Sequence, residues 1–238
     1  MRRHGTFAIA VFVSLGILVP GGGWTQETTV VVPNSNETAD GHADNCLPWF
    51  CFPAVRYQQV YLGSEVGDGL ITDINFRQDV VLGSAFTAVL DNVTIVLSST
   101  TADPDGLSTT FSANVGFGET VVFSGSLMLS SATSTAVPRP FDVSVALATP
   151  FPFDSSTGLN LLIDITVPQT GVGSHLDYVS PPGDSTSRVF CQNDPECLTT
   201  DTATFADSGG LVTQFVFDAS EIFFDDFESG DTSAWPAP

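Results

Sequence analysis

An all-β chain folded as a two-sheet antiparallel β-sandwich of jelly-roll type is predicted by three observations. Apolar residues alternate with polar ones in several short runs, turn residues separate those runs at regular intervals, and no helical period is sustained beyond the first 26 residues. Side chains on a strand point to opposite faces with a period of two, so an alternating run describes a ribbon with one buried face. The clearest run lies at the centre of the chain, where Val93, Ile95 and Leu97 alternate with Thr94, Val96 and Ser98.

Residues 1–26 read as a secretory signal peptide. Arg2, Arg3 and His4 make a positive start, and Phe7 to Val19 an apolar run. Pro20 and the glycines at 21–23 supply a break and small residues for cleavage. The apolar run is shorter than the roughly 20 residues needed to span a bilayer, and no second stretch of spanning length follows. Residues 27–52 are expected to be a flexible N-terminal arm, polar and without a sustained period, although Thr29–Val32 could add an edge strand. It carries the first cysteine pair, Cys46 and Cys51; the second is Cys191 and Cys197. Four cysteines allow three disulfide connectivities. Export to an oxidising compartment and the spacings favour two local bridges over crossed bridges or a four-thiolate zinc site.

Residues 53–218 are expected to form one β-sandwich domain. Arg56–Leu62 and Leu70–Arg77 are strands. In the second, Ile71, Asp73 and Asn75 face one way, and Leu70, Thr72, Ile74 and Phe76 the other. Val80 to Leu90 has no clear period and reads as a loop. After the 93–98 strand, Ala102-Asp103-Pro104-Asp105-Gly106 is a turn, because proline presets φ, Asp bonds its own backbone and Gly accepts positive φ. Thr109–Val115 and Thr120–Ser131 read as two further strands. Phe141–Leu147 follows, bounded by Pro138-Arg139-Pro140 and by Pro150-Phe151-Pro152. Leu159–Val167 then puts Leu159, Leu161, Ile163, Ile165 and Val167 on one face, with Asn160, Leu162, Asp164 and Thr166 on a half-polar one. Leu176–Val179, Ser187–Phe190, Thr202–Phe205 and Leu211–Asp218 complete the strands. Residues 219–238 change character to an acidic, aromatic C-terminal tail expected to lie outside the sandwich core.

Charge and chemistry narrow the functional classes. The net charge is −21; there is no lysine, and all six basic residues are arginines, two of them in the leader. So acidic a chain repels phosphate backbones and anionic lipid, which argues against nucleic-acid binding and membrane docking. Beyond the leader the histidines are His42 and His175, and there is no G-x-S-x-G elbow. Asp103-x-Asp105-Gly106 resembles part of a calcium loop, yet no glutamate follows at the position that closes one; a plain turn is the simpler reading. No catalytic, cofactor or metal site is expected, and the only site residues singled out are the four cysteines. Tyr57, Tyr61 and Tyr178 are the candidate surface aromatics for a sugar ligand.

The strings RYQQVY from Arg56, ITDINFR at Ile71–Arg77, TTADPDGLSTTFSANVG, TVVFSGSLMLSS, GLNLLIDITV and GGLVTQFVF together resemble a group of exported bacterial β-sandwich domains of the kind found in PEP-CTERM-type surface-sorted proteins. The resemblance covers residues 54–218. It implies a sandwich on a secreted or cell-surface bacterial protein and carries no catalytic residue with it. The tail phrase IFFDDFESGDTSAW is similar to phrases near the ends of other secreted bacterial proteins. The Pro-Glu-Pro triplet, apolar helix and terminal basic cluster of a PEP-CTERM tail are not present in this sequence. The expectation is a secreted, non-enzymatic structural or interaction module, with extracellular polysaccharide or a surface protein as partner. A carbohydrate-binding module is the alternative, and a secreted hydrolase the third reading.

Overall fold

The computed structural model describes residues 27–218; the leader and the tail, with the cleavage site and the tail's placement, lie outside the described residues. Among the described residues the strands, in chain order, are β1 (Glu27–Val32), β2 (Ala43–Asn45), β3 (Val55–Tyr61), β4 (Gly69–Phe76), β5 (Phe86–Thr100), β6 (Phe117–Ser131), β7 (Val143–Phe153), β8 (Asn160–Val167), β9 (Leu176–Val179), β10 (Thr186–Cys191), β11 (Phe205–Asp207), β12 (Gly210–Leu211) and β13 (Thr213–Asp218). They form a four-stranded sheet ordered β1-β13-β4-β7, a six-stranded sheet ordered β11-β10-β3-β8-β5-β6, and a small sheet β12-β9-β2.

The pairing is nested. β5 pairs with β6, β4 with β7, β3 with β8 and β1 with β13, every pair antiparallel. The chain thus doubles back on its middle hairpin and wraps outward from it, which is the jelly-roll arrangement of a sandwich. Val93, Ile95 and Leu97 of β5 and Leu161, Ile163, Ile165 and Val167 of β8 are all buried in the common core. Each such side chain contributes roughly 1.5–3 kcal/mol by leaving water.

Several elements depart from the sequence expectation. The flexible arm is instead part of the fold. β1 pairs along its whole length with β13, from Glu27 opposite Asp218 to Val32 opposite Thr213, and β2 pairs with β9. Trp49 is fully buried and packs edge-on against Phe76, with ring centres 6.1 Å apart. The edge strand allowed for Thr29–Val32 is present as β1, whereas β2, three residues long, has too few alternations to be seen in sequence. In β4 a bulge between Ile71 and Asp73 shifts the register. Ile71 therefore shares the buried face with Ile74 and Phe76 instead of opposing them.

β5 begins at Phe86, inside the stretch read as a loop, and β7 runs to Phe153 through Pro150 and Pro152. β7 is the edge of its sheet, where a residue without an N–H can stand in a strand.

Residues 109–115 do not form a strand. They carry a 3-10 turn, Phe111–Ala113, within a cover over the outer face of the six-stranded sheet. That face is polar but buried. Asp164 of β8 accepts from Arg56 Nη2 and from Gln58 Nε2, both at 2.8 Å, and Asn114 Nδ2 reaches Gln58 Oε1 at 2.9 Å. Arg56 lies over the Phe111 ring, 4.4 Å from its centre. The half-polar face of 159–167 is therefore a second interior, satisfied by a loop instead of by water.

Candidate functional site

The most chemically loaded place in the described structure lies where the segment after β1, the end of β4 and strand β9 meet. β4 stops at Phe76, and Arg77, Gln78 and Asp79 continue inward, all buried. Arg77 donates Nε to Asp177 Oδ2 and Nη2 to the carbonyl of Ala39, each at 2.6 Å. The Asp177 N–H reaches the Arg77 carbonyl at 2.9 Å, fixing the two segments side by side. Asp177 Oδ1 accepts from the Gly41 N–H at 2.8 Å, and a Cβ at Gly41 would collide with that carboxylate. Glycine is required there by close approach.

Asp40 and Asp79 complete the cluster, one oxygen of each of the three carboxylates lying within 4.8 Å of the others. Asp79 Oδ1 accepts the N–H groups of Val81 and Leu82 at 2.9 and 2.5 Å. Asp40 Oδ1 is buried without a partner, as is Arg77 Nη1. Burial, then the neighbouring Asp79 carboxylate, raises the pKa of Asp40; burial raises that of Asp177 against the opposing pull of Arg77. The cluster opens to an irregular cleft of about 410 Å³ lined also by His42, Asp44, Val81 and Leu82. His175 meets Asp44 through Nδ1 beside it. Arg139 braces the rim from outside, donating to Gln78 Oε1 at 2.7 Å and to the Val80 carbonyl at 2.9 Å.

The residues singled out in the sequence sit elsewhere. Cys46 and Cys51, and Cys191 and Cys197, are brought together in two local pairs with Cα atoms 5.3 Å apart in each, the separation of a disulfide. The first pair flanks buried Trp49; the second holds the small apolar cluster of Phe111, Val189 and Ala203. Tyr57, Tyr61 and Tyr178 are buried and unavailable as a sugar platform. Tyr57 donates to Gln59 Oε1 at 2.5 Å, Tyr178 to Asp207 Oδ1 at 3.0 Å, and Tyr61 shares a hydrogen bond with Thr213 at 2.9 Å. Burial pushes the Tyr57 hydroxyl up to about 12.

The Asp103–Gly106 segment is the turn expected, closed by Gly106 N–H to the Asp103 carbonyl at 2.8 Å. Its exposed carboxylates tie the turn to neighbouring segments. Asp103 accepts from Asn160 Nδ2 at 3.1 Å and Asp105 from the Gly183 N–H at 2.8 Å. Sequence reasoning missed the Asp40–Asp79–Asp177 cluster, since 39 and 98 positions separate its members and no spacing motif links them. A usable signal was the scarcity of arginine, since a buried Arg77 demands an acidic partner.

The fold and these sites define an all-β, sandwich-like protein with two local cysteine pairs. No family model matches the chain, and neither a curated protein nor a solved structure matches it.

Proposed function

We propose that this is a secreted or cell-surface bacterial protein whose sandwich serves as a non-catalytic structural or interaction module. The observation that carries this reading is the use made of its arginines. Each of the four in the described residues is turned onto an internal acceptor: Arg56 on Asp164, Arg77 on Asp177, Arg139 on Gln78 and Val80, Arg188 on Asp207. The cations brace the fold, and the surface left to a partner is acidic. His175 is likewise engaged, with Asp44. The signal-like leader and the local cysteine pairs support the extracellular address.

A carbohydrate-binding role is the second reading, and one observation favours it. Phe205, on the edge strand β11, is 45% exposed and stacks on Phe190 with ring centres 5.0 Å apart. Unlike the buried tyrosines, it offers an exposed ring.

The test is binding of purified residues 27–238 to isolated bacterial envelopes, before and after protease treatment. Retention lost after protease supports a surface-protein partner. Retention that survives protease and falls for Phe205→Ala supports the carbohydrate reading. No retention under either condition contradicts the interaction role.

A further inference from the structure

We propose that the free edge of β6, with the apolar face beside it, is a self-association surface on which a second copy of this chain pairs antiparallel, β6 against β6. β6 ends the six-stranded sheet. Among the described residues, its backbone makes no backbone–backbone hydrogen bond outside the ladder with β5. A row of open N–H and C=O groups is a template for another strand, and proteins blunt such edges with proline, charge, shortness or a cover. The other edges of the two large sheets are blunted. β7 carries Pro150 and Pro152, β11 is three residues long, and the helical turn Gly63–Val66 packs against β1. β6 has none of these devices over most of its length. It runs for 15 residues, and no residue from Thr120 to Pro138 is charged. Where the ladder bulges within 123–131, the extra residue belongs to β5, at Asp91–Asn92.

The face beside this edge is apolar and open. Met128 and its cross-strand partner Val89 are 66% and 60% exposed, and Val121 and Phe117 are exposed further along β6. The loop that covers the polar outer face over β3 and β8 does not reach them.

Charge and symmetry point to a second copy as the occupant. The chain carries a net charge of −21, so most of its surface repels another copy of itself. β5 and β6 hold one carboxylate each, Asp91 and Glu119, and Asp91 is engaged by Ser126 Oγ at 2.8 Å. Here two copies meet without stacking carboxylates. An antiparallel edge is also its own complement. A two-fold axis normal to the sheet at Leu127 lays 123–131 of one copy against 131–123 of the other. Met128 then falls on the diagonal from its own copy, and the two apolar strips join on one side of a continuous sheet. Nine residues at about 3.4 Å each make a seam of roughly 30 Å. That is small for an obligate interface, so the dimer is weak and reversible. The proposal needs no envelope partner and its test contains none, so it and the role proposed above can fail separately.

The experiment is sedimentation velocity of purified residues 27–238 from about 1 μM to 1 mM, in low and high salt. Hydrogen exchange of peptides covering 117–131 is followed at both ends of that range. The expected result is a monomer–dimer equilibrium that salt strengthens, because screening weakens the repulsion between acidic copies, with β6 amides that lose protection on dilution. Met128→Lys decides the surface. It lowers the net negative charge, so association through another face would strengthen. On the two-fold seam it sets like charges on the diagonal and should weaken the dimer about tenfold. Val172→Lys, the same charge change on the exposed loop before β9, is the control and should not weaken it. A dimer that Met128→Lys leaves as tight as Val172→Lys does overturns the proposal. So does a monomer at every concentration and salt; protection of 117–131 in that monomer at every dilution would assign the edge to a segment of the same chain.

Discussion

Arg77 and Asp177 are joined at 2.6 Å with neither side chain touching solvent. The guanidinium also lies over the Phe141 ring, 4.7 Å from its centre, so one residue links β4, β9, the N-terminal segment and the segment that leads into β7. Truncating one member of a buried pair leaves the other charged and dry, which costs about 3–5 kcal/mol. Arg77→Ala is therefore expected to lower stability by that amount in urea unfolding. The double variant Arg77→Met, Asp177→Leu should recover a large part of it, because the stranded charge is gone.

The N-terminal segment provides the second prediction. Trp49 fills the core between the sheets, and a large aromatic cut to alanine in such a place loses about 3–5 kcal/mol. Trp49→Ala should show this loss in denaturant titration. Deleting residues 27–45 should destabilise as severely, since it strips β1 from β13 and β2 from β9. A deletion that left the unfolding midpoint unchanged would restore the view of this segment as a loose arm.

How much was legible follows from the same contrast. β5, β7 and β8 were visible because each alternates over several residues and buries one face against the core. β1 was visible only as an optional edge strand at Thr29–Val32, and β2 not at all, because both are short and paired with partners more than 130 positions away. The bulge at Ile71–Asp73 inverted an otherwise correct alternation, and residues 109–115 looked like a strand because Phe111 and Val115 sit among threonines and serines. Their actual task, covering Gln58, Asp164 and Arg56, depends on side chains that come together only in the fold. The same holds for Asp40, Asp79 and Asp177: an acidic chain has many carboxylates, and nothing local distinguishes the three that meet.

Asp184 predicts a pH dependence. Its Oδ1 caps the Thr186 N–H at 2.9 Å while Oδ2 is buried without a partner. Burial, aided by Asp105 and Glu65 and opposed by the Thr186 N–H, pushes its pKa up to about 6, above the ordinary 3.8. The folded state then holds a proton that the unfolded state has released, so this residue makes stability fall as pH rises from about 4 to 6, with no further loss above. Asp184 is partly solvated, so the expected size is on the order of 1 kcal/mol after screening. Asp184→Asn should remove that part of the slope and gain stability at neutral pH relative to pH 4. Parallel profiles for variant and wild type would contradict it.

The cysteine pairs predict covalent structure. Each bridge closes a loop short enough that chain entropy assigns it only about 2 kcal/mol. Reduction should therefore lower Tm without unfolding the sandwich at room temperature. Non-reducing peptide mapping should link Cys46 to Cys51 and Cys191 to Cys197. Peptides joining either early cysteine to the late pair would show crossed bridges.

The account's central claim is an extracellular one, and the mass of the protein recovered from its native host tests it most directly. Intact mass spectrometry of culture medium, cell surface and membrane fractions should find a chain beginning between Gly23 and Glu27, in the medium or on the surface. Full-length protein beginning at Met1 and confined to the cytoplasm or inner membrane would contradict the account.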